Sequence, residues 1–579
     1  MRSILLLLLL CSQMFSQTPL ADESEEPDEN AYVSELFAKI FQPLDLKSVD
    51  SIELQRRGFS ETAIHMVLDW QHKGTSLAGQ KRLKRNFSGR DKQLFVQFSQ
   101  LGSGYIFRQR LQYSPSLEGW RILNKSRVFR PWGTFIMLFE QDPGESRLND
   151  HAILSASIQK LPFLKELIIG SFNISWGGGS LLNQQGYRSS LAPNSLLYPS
   201  QIRVRPHYSS REIDYFKGMA GVWETERIRG TVFISHRTAL GTGSHEDFRE
   251  DSDGIHPSGK SYDSMSLEVA GVAGEYDFST ASLFTALLVD RQQLSGAGLE
   301  AGLTWRITPS QNFQGYVTGR LGSVERAQLT WAYRTPEIQL AIQFRNYFTE
   351  VPLASGATLS MLGSSASNET GISIRTQIRP IKGSRIRYAM DTGASYLMES
   401  LSAGVSVRQH KVQFILDRPQ RQWQLDGSHK REGPVILSDD WEPEFGSITI
   451  SKQSISLLEK IVPGLQYRLN LKTAHSQGQR SYLIQQRTLL SKDAWKGGVG
   501  YTRYAIPNAQ LRISTYESSL VESFSFFTAF NDGERWFFYL NQTTREWIDL
   551  ELKIASTRTN DENSFPGQVE ISFQMSIVL

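Results

Sequence analysis

The feature that most constrains the fold of this chain is an alternation of apolar and polar residues, which recurs from about residue 92 to the C-terminal residue. In residues 336–348 one face carries Ile338, Leu340, Ile342, Phe344 and Phe348, and the other carries Gln339, Gln343 and Arg345. Successive side chains of a β-strand point to opposite faces, so a period of two predicts an amphipathic strand. The pattern recurs in residues 105–113 and 547–555, and turn-forming sequences such as NDGE at residues 531–534 predict tight hairpins between strands.

The last segment of the chain carries this pattern to its end. Its apolar positions are Val569, Ile571, Phe573, Met575, Ile577 and Leu579, without a change of phase. An open sheet edge in lipid would leave backbone groups without hydrogen-bond partners, so a membrane sheet must pair its last strand with its first. We therefore expect the C-terminal strand to lie in the wall of a closed barrel, although Leu579 stands where such chains usually end in an aromatic residue.

Composition and spacing favour a membrane barrel over a soluble all-β protein. Aromatic residues make up 11% of the 579 residues, glycine occurs 45 times, and the mean hydropathy is -0.33, as expected when half of each strand faces water. We find no blade-length repeat and no linker between separate cores. Aromatic residues stand near strand ends at Trp331, Tyr333, Trp536 and Trp547.

The sequence thus predicts a mainly β fold with a small N-terminal α-helical module. Its main part, residues 91–579, is predicted to be a large antiparallel transmembrane β-barrel of about 20–26 strands, even in number. The net charge of +3 is close to balanced and indicates no particular partner.

The N-terminus has the three parts of a secretory signal peptide, which we assign to residues 1–16. Arg2 precedes an apolar run over residues 4–10, and small or polar residues follow. The run is shorter than the roughly 20 apolar residues that a membrane-spanning helix needs. Residues 17–40 are acidic at first and are expected to form a disordered spacer and a lead-in to the next module.

The single cysteine of the chain, Cys11, lies in the signal segment. It would be the acylated residue of a lipoprotein, but the preceding Leu10 is larger than the small residue such a site prefers. A chain cleaved near residue 16 would contain no cysteine, which excludes disulfides and cysteine-based metal sites.

Residues 41–90 have the pattern of a helix-hairpin-helix module. Asp50 and Glu53 form a capping box at the start of a first helix, and Gly58 supplies the turn. Ser60 can cap a second helix. The buried stripe of this second helix would consist of Ala63, Ile64, Val67, Leu68 and Trp70.

Modules of this kind bind DNA through backbone amides at a Gly-hydrophobic-Gly turn, where they approach a phosphate. Here Ser60 replaces the second glycine, the neighbouring Glu61 repels phosphate, and no second hairpin follows. The residues that would contact DNA are Arg56, Arg57, Gly58, Ser60, Lys81, Arg82, Lys84 and Arg85. The sequence favours a periplasmic structural module that binds periplasmic proteins, with DNA binding or uptake as the alternative.

A barrel of this width must hold either an aqueous channel or a plug. Residues 171–220 interrupt the strand pattern with glycines, prolines and arginines, and a loop of this length usually has a function or is disordered. We expect this segment to fold into the lumen, with an ordinary extracellular loop as the alternative. The residues that would pair with inward carboxylates are Arg188, Arg203, Arg205 and Arg211.

Three landmarks in the β-rich region resemble a known family. They are FEQDPGE at 139–145, LKELIIGSFNISWGGGSLL at 164–182 and RVRPHYSSREIDYFKGMA at 203–220. Together with residues 41–90, their order is similar to that of Gram-negative envelope proteins with a competence-protein-like helix-hairpin-helix segment ahead of a large outer-membrane-type β-barrel. The resemblance implies an outer-membrane location and lends no particular activity.

The sequence does not favour an enzyme. One loop holds candidate cation ligands, namely His245, Asp247, Asp251, Asp253 and His256, but a polar loop of this kind is usually just solvated. There is no Gly-x-Ser-x-Gly elbow or other nucleophile motif. We predict no catalytic residues, no metal and no cofactor. The predicted function is an outer-membrane channel, transporter or envelope scaffold whose partners are outer-membrane lipid and the barrel-assembly machinery.

Overall fold

The fold is that of a computed structural model of the chain. The residues that the structure describes are 54, 61–72, 104–114, 119–130, 132–141, 151–159, 161–179, 181–182, 196, 202–208, 215–242, 249–250, 263–290, 297–320, 323–348, 369–381, 383–394, 405–418, 420–434, 448–462, 464–492, 494–508, 511–518, 520, 526–529, 531–545, 548–559 and 568–578. Within these ranges, no helix combines the length and the apolar character needed to cross a membrane.

The described residues form one helix and a long series of strands. The helix, α1, spans Glu61–His72. The strands are β1 (Gly104–Ser114), β2 (Gly119–Arg130), β3 (Gly133–Gln141), β4 (His151–Gln159), β5 (Glu166–Trp176), β6 (Ile202–Pro206), β7 (Phe216–Glu224), β8 (Ile228–Thr242), β9 (Arg249–Glu250), β10 (Asp263–Asp277), β11 (Ala281–Asp290), β12 (Ala297–Thr308), β13 (Gln311–Arg320), β14 (Ser323–Arg334), β15 (Ile338–Tyr347), β16 (Glu369–Ile378), β17 (Ser384–Ala394), β18 (Val405–Asp417), β19 (Arg421–Pro434), β20 (Ile448–Val462), β21 (Leu465–Ser476), β22 (Gln479–Lys492), β23 (Trp495–Ile506), β24 (Ile513–Tyr516), β25 (Phe526–Ala529), β26 (Asn531–Arg545), β27 (Ile548–Thr559) and β28 (Gln568–Val578).

Twenty-four of these strands form one closed antiparallel barrel. Successive strands pair along the chain, except that β5 pairs with β7, β8 with β10 and β23 with β26. β1 pairs with β28, with Ile106 opposite Val578 and Tyr113 opposite Ile571, which closes the ring. β6 and β9 add to β5 and β8, and β24 pairs with β25 as a separate hairpin. The predicted barrel, its even strand number and its first-to-last pairing are confirmed.

The alternation places apolar side chains outside the barrel and polar ones inside. On β15, Ile338 and Phe344 are 43% and 49% exposed, whereas Gln343 and Arg345 are each 2% exposed. On β27, Glu551 is likewise buried on the inner face. A soluble sheet would bury its apolar face, so this inverted arrangement is what a barrel in lipid requires.

The connections differ between the two ends of the barrel. At one end they are short, as at residues 335–337 and 463–464, and we name it the short-turn end. At the other, the long-loop end, most are longer, as at residues 243–262, 348–368 and 435–447. In bacterial outer-membrane barrels the short turns face the periplasm and the long loops face the cell exterior.

The tight turn predicted at residues 531–534 is wrong. These residues begin β26 and pair with β23, with Ile506 opposite Asn531. Asn531 has a φ of 59°, a left-handed conformation that asparagine adopts more readily than most residues, so turn-forming residues here mark the entry into a strand. A two-residue hairpin lies instead at Gln477 and Gly478, where φ is 50° and 76°, as a type I′ turn requires.

Helix α1 is the part of the 41–90 module that the structure describes most fully. The apolar stripe that we predicted for a second helix is buried at Ala63, Ile64, Val67 and Trp70, and Leu68 is half-buried. Apart from Leu54, the remainder of the module and the signal and spacer segments lie outside the described residues. The helix-hairpin-helix arrangement and the family resemblance built on it therefore stay predictions.

Candidate functional site: the barrel lumen

The C-terminal half of β5 crosses the inner surface of the barrel. Residues 166–172 pair with β7 in the wall, but residues 172–176 pair with β6. Trp176 then lies over Gly271 of β10, so closely that a Cβ on this glycine would collide with the indole. The next two residues reach β11, β12 and β13, where Gly177 contacts Phe284 and Glu300. The chain therefore leaves the wall and enters the lumen. We name the described residues of 173–215 the first lumenal segment.

An apolar cluster fixes this segment to the wall. From the segment it contains Ile174, Trp176, Leu181, Leu182 and Ile202, and from the inner faces of β8, β10 and β11 it contains Phe233, Val269, Ala273, Phe284, Ala286 and Leu288. The Trp176 and Phe233 rings are 5.4 Å apart between centroids. Each apolar side chain buried in this way contributes roughly 1.5–3 kcal/mol, so the contact is firm.

The carboxylate of Glu300 holds the turn that follows β5. Its Oε1 accepts a hydrogen bond from the backbone N–H of Gly178 at 2.7 Å, and its Oε2 accepts one from Leu181 at 3.1 Å. Gly177 has a φ of 46°, and a Cβ there would collide with the same carboxylate. The turn therefore needs glycine at this position, both for its conformation and for the close approach.

The described parts of the first lumenal segment reach nearly opposite sides of the wall. Leu196 packs against Ala332 of β14 and Ala341 of β15, whose side chains face inward. Tyr208 lies under the inward-facing Lys125 and Arg127 of β2, with centroid distances of 4.8 and 5.3 Å. Because β2 and β14 are almost diametrically placed in the ring, the segment crosses the lumen.

The structure describes two of the four arginines predicted for this segment. Arg203 and Arg205 lie on β6, and Arg205 interacts electrostatically with Glu166 of β5. Arg188 and Arg211 lie outside the described residues. The predicted bounds of 171–220 were slightly too wide, because β5 stays in the wall as far as Phe172 and β7 begins at Phe216.

A second segment also lies in the lumen, and sequence reasoning missed it. We name the described residues of 507–530, the connection between β23 and β26 that contains the β24–β25 hairpin, the second lumenal segment. Its Leu511, Ile513 and Phe527 pack against Leu483 and Tyr504, which are buried on the inner faces of β22 and β23. The Lys472 Nζ donates to the Ser514 carbonyl at 2.5 Å, and the Thr515 Oγ1 donates to Gln485 at 3.0 Å.

Ion pairs hold the described turn of this hairpin. The carboxylate of Glu517 accepts hydrogen bonds from the Arg535 Nε at 2.6 Å and Nη2 at 3.1 Å, and from the Lys553 Nζ at 2.7 Å. Arg535 also donates to Glu570 of β28 at 2.9 and 3.0 Å. Burial acts to raise the pKa of Glu517, but the hydrogen bonds and charges of Arg535 and Lys553 outweigh it, so the pKa is lowered from its ordinary value. We name Glu517, Arg535, Lys553 and Glu570 the charge latch.

Cationic side chains predominate on one arc of the inner wall. On the described parts of β18 to β22, the inward-facing cations are Lys411, Lys430, Lys452, Lys460, Arg468, Lys472 and Arg487, and the inward-facing acids are Asp417, Asp426 and Glu432. Asp426 accepts hydrogen bonds from Gln413, Gln424 and Ser454, which belong to the same wall. The arc thus presents a net positive charge to the lumen.

The other predicted site residues lie outside the described residues. These are the DNA-contact candidates Arg56, Arg57, Gly58, Ser60, Lys81, Arg82, Lys84 and Arg85, and the cation-ligand candidates His245, Asp247, Asp251, Asp253 and His256. Within the described ranges there is no group of three or more His, Cys, Asp or Glu residues placed to hold a metal ion.

Comparisons with known proteins give matches among solved structures alone. No family model and no curated protein matches the chain. The FrpB iron transporter from Neisseria meningitidis is 6% identical, with 82% of this chain and 81% of that chain covered and a TM-score of 0.41. The siderophore receptor PirA from Acinetobacter baumannii is 8% identical, with 82% and 80% covered and a TM-score of 0.40. The translocation pore of the P pilus usher PapC is 8% identical, with 82% and 98% covered and a TM-score of 0.37.

Proposed function

We propose that the chain is an outer-membrane channel or transporter whose lumen is gated by the second lumenal segment. The observation that carries this proposal is a closed barrel of twenty-four strands with an apolar outer face, a polar inner face and two segments folded inside. Barrels of 16–18 strands already leave an aqueous channel, and 22-stranded ones are plugged. An unobstructed barrel of this width would make the membrane leaky. The role of the lumenal segments is therefore to close the channel.

The two segments differ in how they are held, and this difference assigns the gate. The first is fixed by a large apolar cluster and by the backbone hydrogen bonds to Glu300. The second is apolar at its base, but its turn at Glu517 is held by charges. Ion pairs can be exchanged for water or for a charged solute, whereas apolar burial cannot be replaced in this way. The turn of the second segment is therefore the part able to move.

The cationic arc of β18 to β22 indicates the solute class. Lys472 both lines this arc and contacts the hairpin backbone, so a solute that displaces the hairpin meets positive charge. Clefts lined by one sign of charge concentrate ions of the opposite sign. Anionic solutes are therefore the favoured cargo.

Electrical recording tests the proposal. The full chain and a variant in which residues 511–529 are replaced by a short Gly-Ser linker are inserted into planar bilayers across a KCl gradient. We expect rare openings of the wild type, a persistently open variant, and a reversal potential that indicates anion preference. Equal conductance of both proteins would overturn the gate, and cation preference would overturn the solute class. Heat-modifiable migration on a gel confirms that the variant barrel is closed.

The location is tested separately by fractionation. The apolar outer face predicts that the chain stays with the outer membrane after carbonate extraction, whereas release as a soluble periplasmic protein would reject the location. Roles in envelope scaffolding, in binding periplasmic proteins through residues 41–90, or in DNA handling stay predictions, because no contact among the described residues tests them.

A further inference from the structure

Four basic side chains meet on the outer surface of two neighbouring strands. They are Arg408 and His410 on β18 and His429 and Arg431 on β19, and we name them the basic rim patch. Arg408 is paired with Arg431 and His410 with His429 in the register of the two strands. These four side chains point away from the lumen, because they lie on the same strand faces as Val412 of β18 and Trp423 of β19, which are 43% and 38% exposed.

The patch lies at the outer edge of the lipid-facing band. β18 begins at Val405 and β19 ends at Pro434, both at the long-loop end, so the patch is near that end of each strand. Toward the short-turn end the same faces carry Val412, Phe414, Leu416, Trp423 and Leu425. A strand rises about 3.3 Å per residue and is tilted by roughly 40°, so Arg408 stands about 20 Å from Leu416 along the membrane normal. This is close to the height of an apolar band of about 25 Å, which places the guanidinium groups at the headgroup level.

Two other groups of outward-facing basic side chains near the long-loop end have an acidic neighbour. His236 of β8 lies 3.4 Å from Glu268 of β10. Arg503 and Arg558 are paired with Glu534 in the register of β23, β26 and β27. The described outward-facing residues next to the basic rim patch are uncharged, including Thr392, Met390, Ser451 and Thr449. The positive charge of the patch therefore comes from Arg408 and Arg431, whose partners in the strand register are each other, Thr392 and Thr449.

The two histidine rings are held in place beside the arginines. The Tyr388 hydroxyl lies 2.9 Å from the His410 Nδ1, and the His429 Nδ1 lies 3.0 Å from the Ser451 Oγ. Arginine guanidinium groups bind phosphate through paired, charge-assisted hydrogen bonds, and they are the side chains best suited to this task. Two arginines side by side, with oriented imidazoles next to them, form a cradle for one phosphate group.

We propose that the basic rim patch binds the phosphate-bearing headgroup of an outer-leaflet glycolipid. The patch adjoins an apolar surface on which acyl chains can lie, and its height matches the headgroup region. A lipid therefore satisfies both the charged and the apolar parts of the surface, whereas a free phosphate ion satisfies only the first. This inference depends on the barrel's orientation in the membrane and not on the gating of its lumen.

A binding titration on the purified full chain in detergent tests the proposal. The probes are bis-phosphorylated lipid A, the same lipid with both phosphates removed, and inorganic phosphate. The variant is R408Q/R431Q, and the matched control is R503Q/R558Q, which removes two outward arginines that have an acidic neighbour. A basic residue near an anionic membrane surface contributes about 1 kcal/mol, so we expect roughly 30-fold weaker binding of phosphorylated lipid A to the variant and little change in the control.

Each outcome of this titration is decisive. Selective loss in the R408Q/R431Q variant, with weak binding of the dephosphorylated lipid, supports the site. Equal binding by the variant and the wild type, or equal binding of both lipids, overturns it. Full competition by inorganic phosphate at the concentration of the lipid would assign the site to free phosphate and overturn the lipid source. Heat-modifiable migration of every variant ensures that a loss of binding reflects the site and not unfolding.

Discussion

Replacing Glu517 by glutamine should release the turn of the second lumenal segment. Glu517, Arg535 and Lys553 are 6%, 2% and 6% exposed, so these three members of the charge latch are well removed from water, while the Glu570 side chain is 36% exposed. Removing one partner of a buried ion pair usually costs about 3–5 kcal/mol, because the remaining charge is left buried. Arg535 keeps Glu570 as a partner, so we expect the lower end of this range, about 3 kcal/mol. Since about 1.4 kcal/mol corresponds to a factor of ten, the undocked population should rise roughly 100-fold.

Single-channel recording and hydrogen exchange check this prediction. The Glu517→Gln variant should open about 100 times more often than the wild type, and amides of residues 513–516 and 526–529 should exchange faster. Glu534→Gln, on the outer surface, is the matched control and should behave as the wild type. The double variant E517Q/K553M should regain most of the closed state, because removing both charges of a buried pair is often nearly neutral. Unchanged opening and exchange in Glu517→Gln would refute the latch.

The same latch predicts how gating depends on pH. The pKa of Glu517 is lowered from its ordinary value of 4.5 in the docked state. A carboxyl group whose pKa is lowered in the docked state stabilises that state fully at pH values above its ordinary pKa. This stabilisation is lost as the pH falls through the docked-state pKa. Opening should therefore be constant between pH 7 and pH 5, in roughly neutral to mildly acidic buffer, and should increase only in more strongly acidic solution. An increase centred near pH 6 would contradict the assignment to Glu517.

Three further predictions concern the wall, the first lumenal segment and the N-terminal module. Ile342→Arg, in the lipid-facing row of β15, should lower the free energy of unfolding, measured in lipid vesicles, by roughly 2–4 kcal/mol. The control Ile342→Leu should lower it by less than about 1.5 kcal/mol, and equal losses would contradict the assigned lipid-facing phase. In the same measurement, Glu300→Ala should lower the free energy of unfolding by roughly 2–6 kcal/mol, because two buried N–H groups lose their acceptor. Glu337→Ala, at an exposed position, should change it little, and equal stability of both variants would show that Glu300 is not an anchor. In gel-shift titrations of the full chain, joint neutralisation of Lys81, Arg82, Lys84 and Arg85 should abolish any salt-sensitive DNA binding and Gly58→Ala should not, whereas the reverse result would indicate a functional DNA-binding hairpin.

The barrel itself could be predicted from sequence because one local signal determines it. The alternation at Ile338 to Phe344 assigns each side chain to lipid or lumen without knowledge of its neighbours, and the structure confirms that phase. The same signal continued to the end of the chain predicted the pairing of β28 with β1. The strand number could only be bracketed, because it depends on loop lengths that periodicity does not define.

The contents of the lumen could be predicted only in part, because they depend on contacts distant in sequence. Glycines and prolines drew attention to residues 171–220, but the partners of that segment, such as Glu300 and Phe284, are far along the chain. The second lumenal segment was missed because its strands are short and its key residue, Glu517, is recognisable only beside Arg535. Turn propensity at residues 531–534 was misleading for a related reason, since pairing with β23 overrides the local preference.

A conductance measurement on a cross-linked barrel tests most directly the central claim, that solutes pass when the second lumenal segment moves. Cys11 is the only cysteine of the sequence, and it is absent from the protein once the signal peptide is cleaved or once Cys11→Ser is introduced. Thr515→Cys and Gln485→Cys then supply the only two thiols. The two native side chains are 3.0 Å apart between Oγ1 and Oε1, within reach of a short bis-methanethiosulfonate reagent, which forms a disulfide with each thiol and releases two sulfinate leaving groups. We predict that cross-linking abolishes openings, that reduction restores them, and that the reagent does not change the opening frequency of either single variant. Openings at unchanged frequency in fully cross-linked protein would contradict the claim.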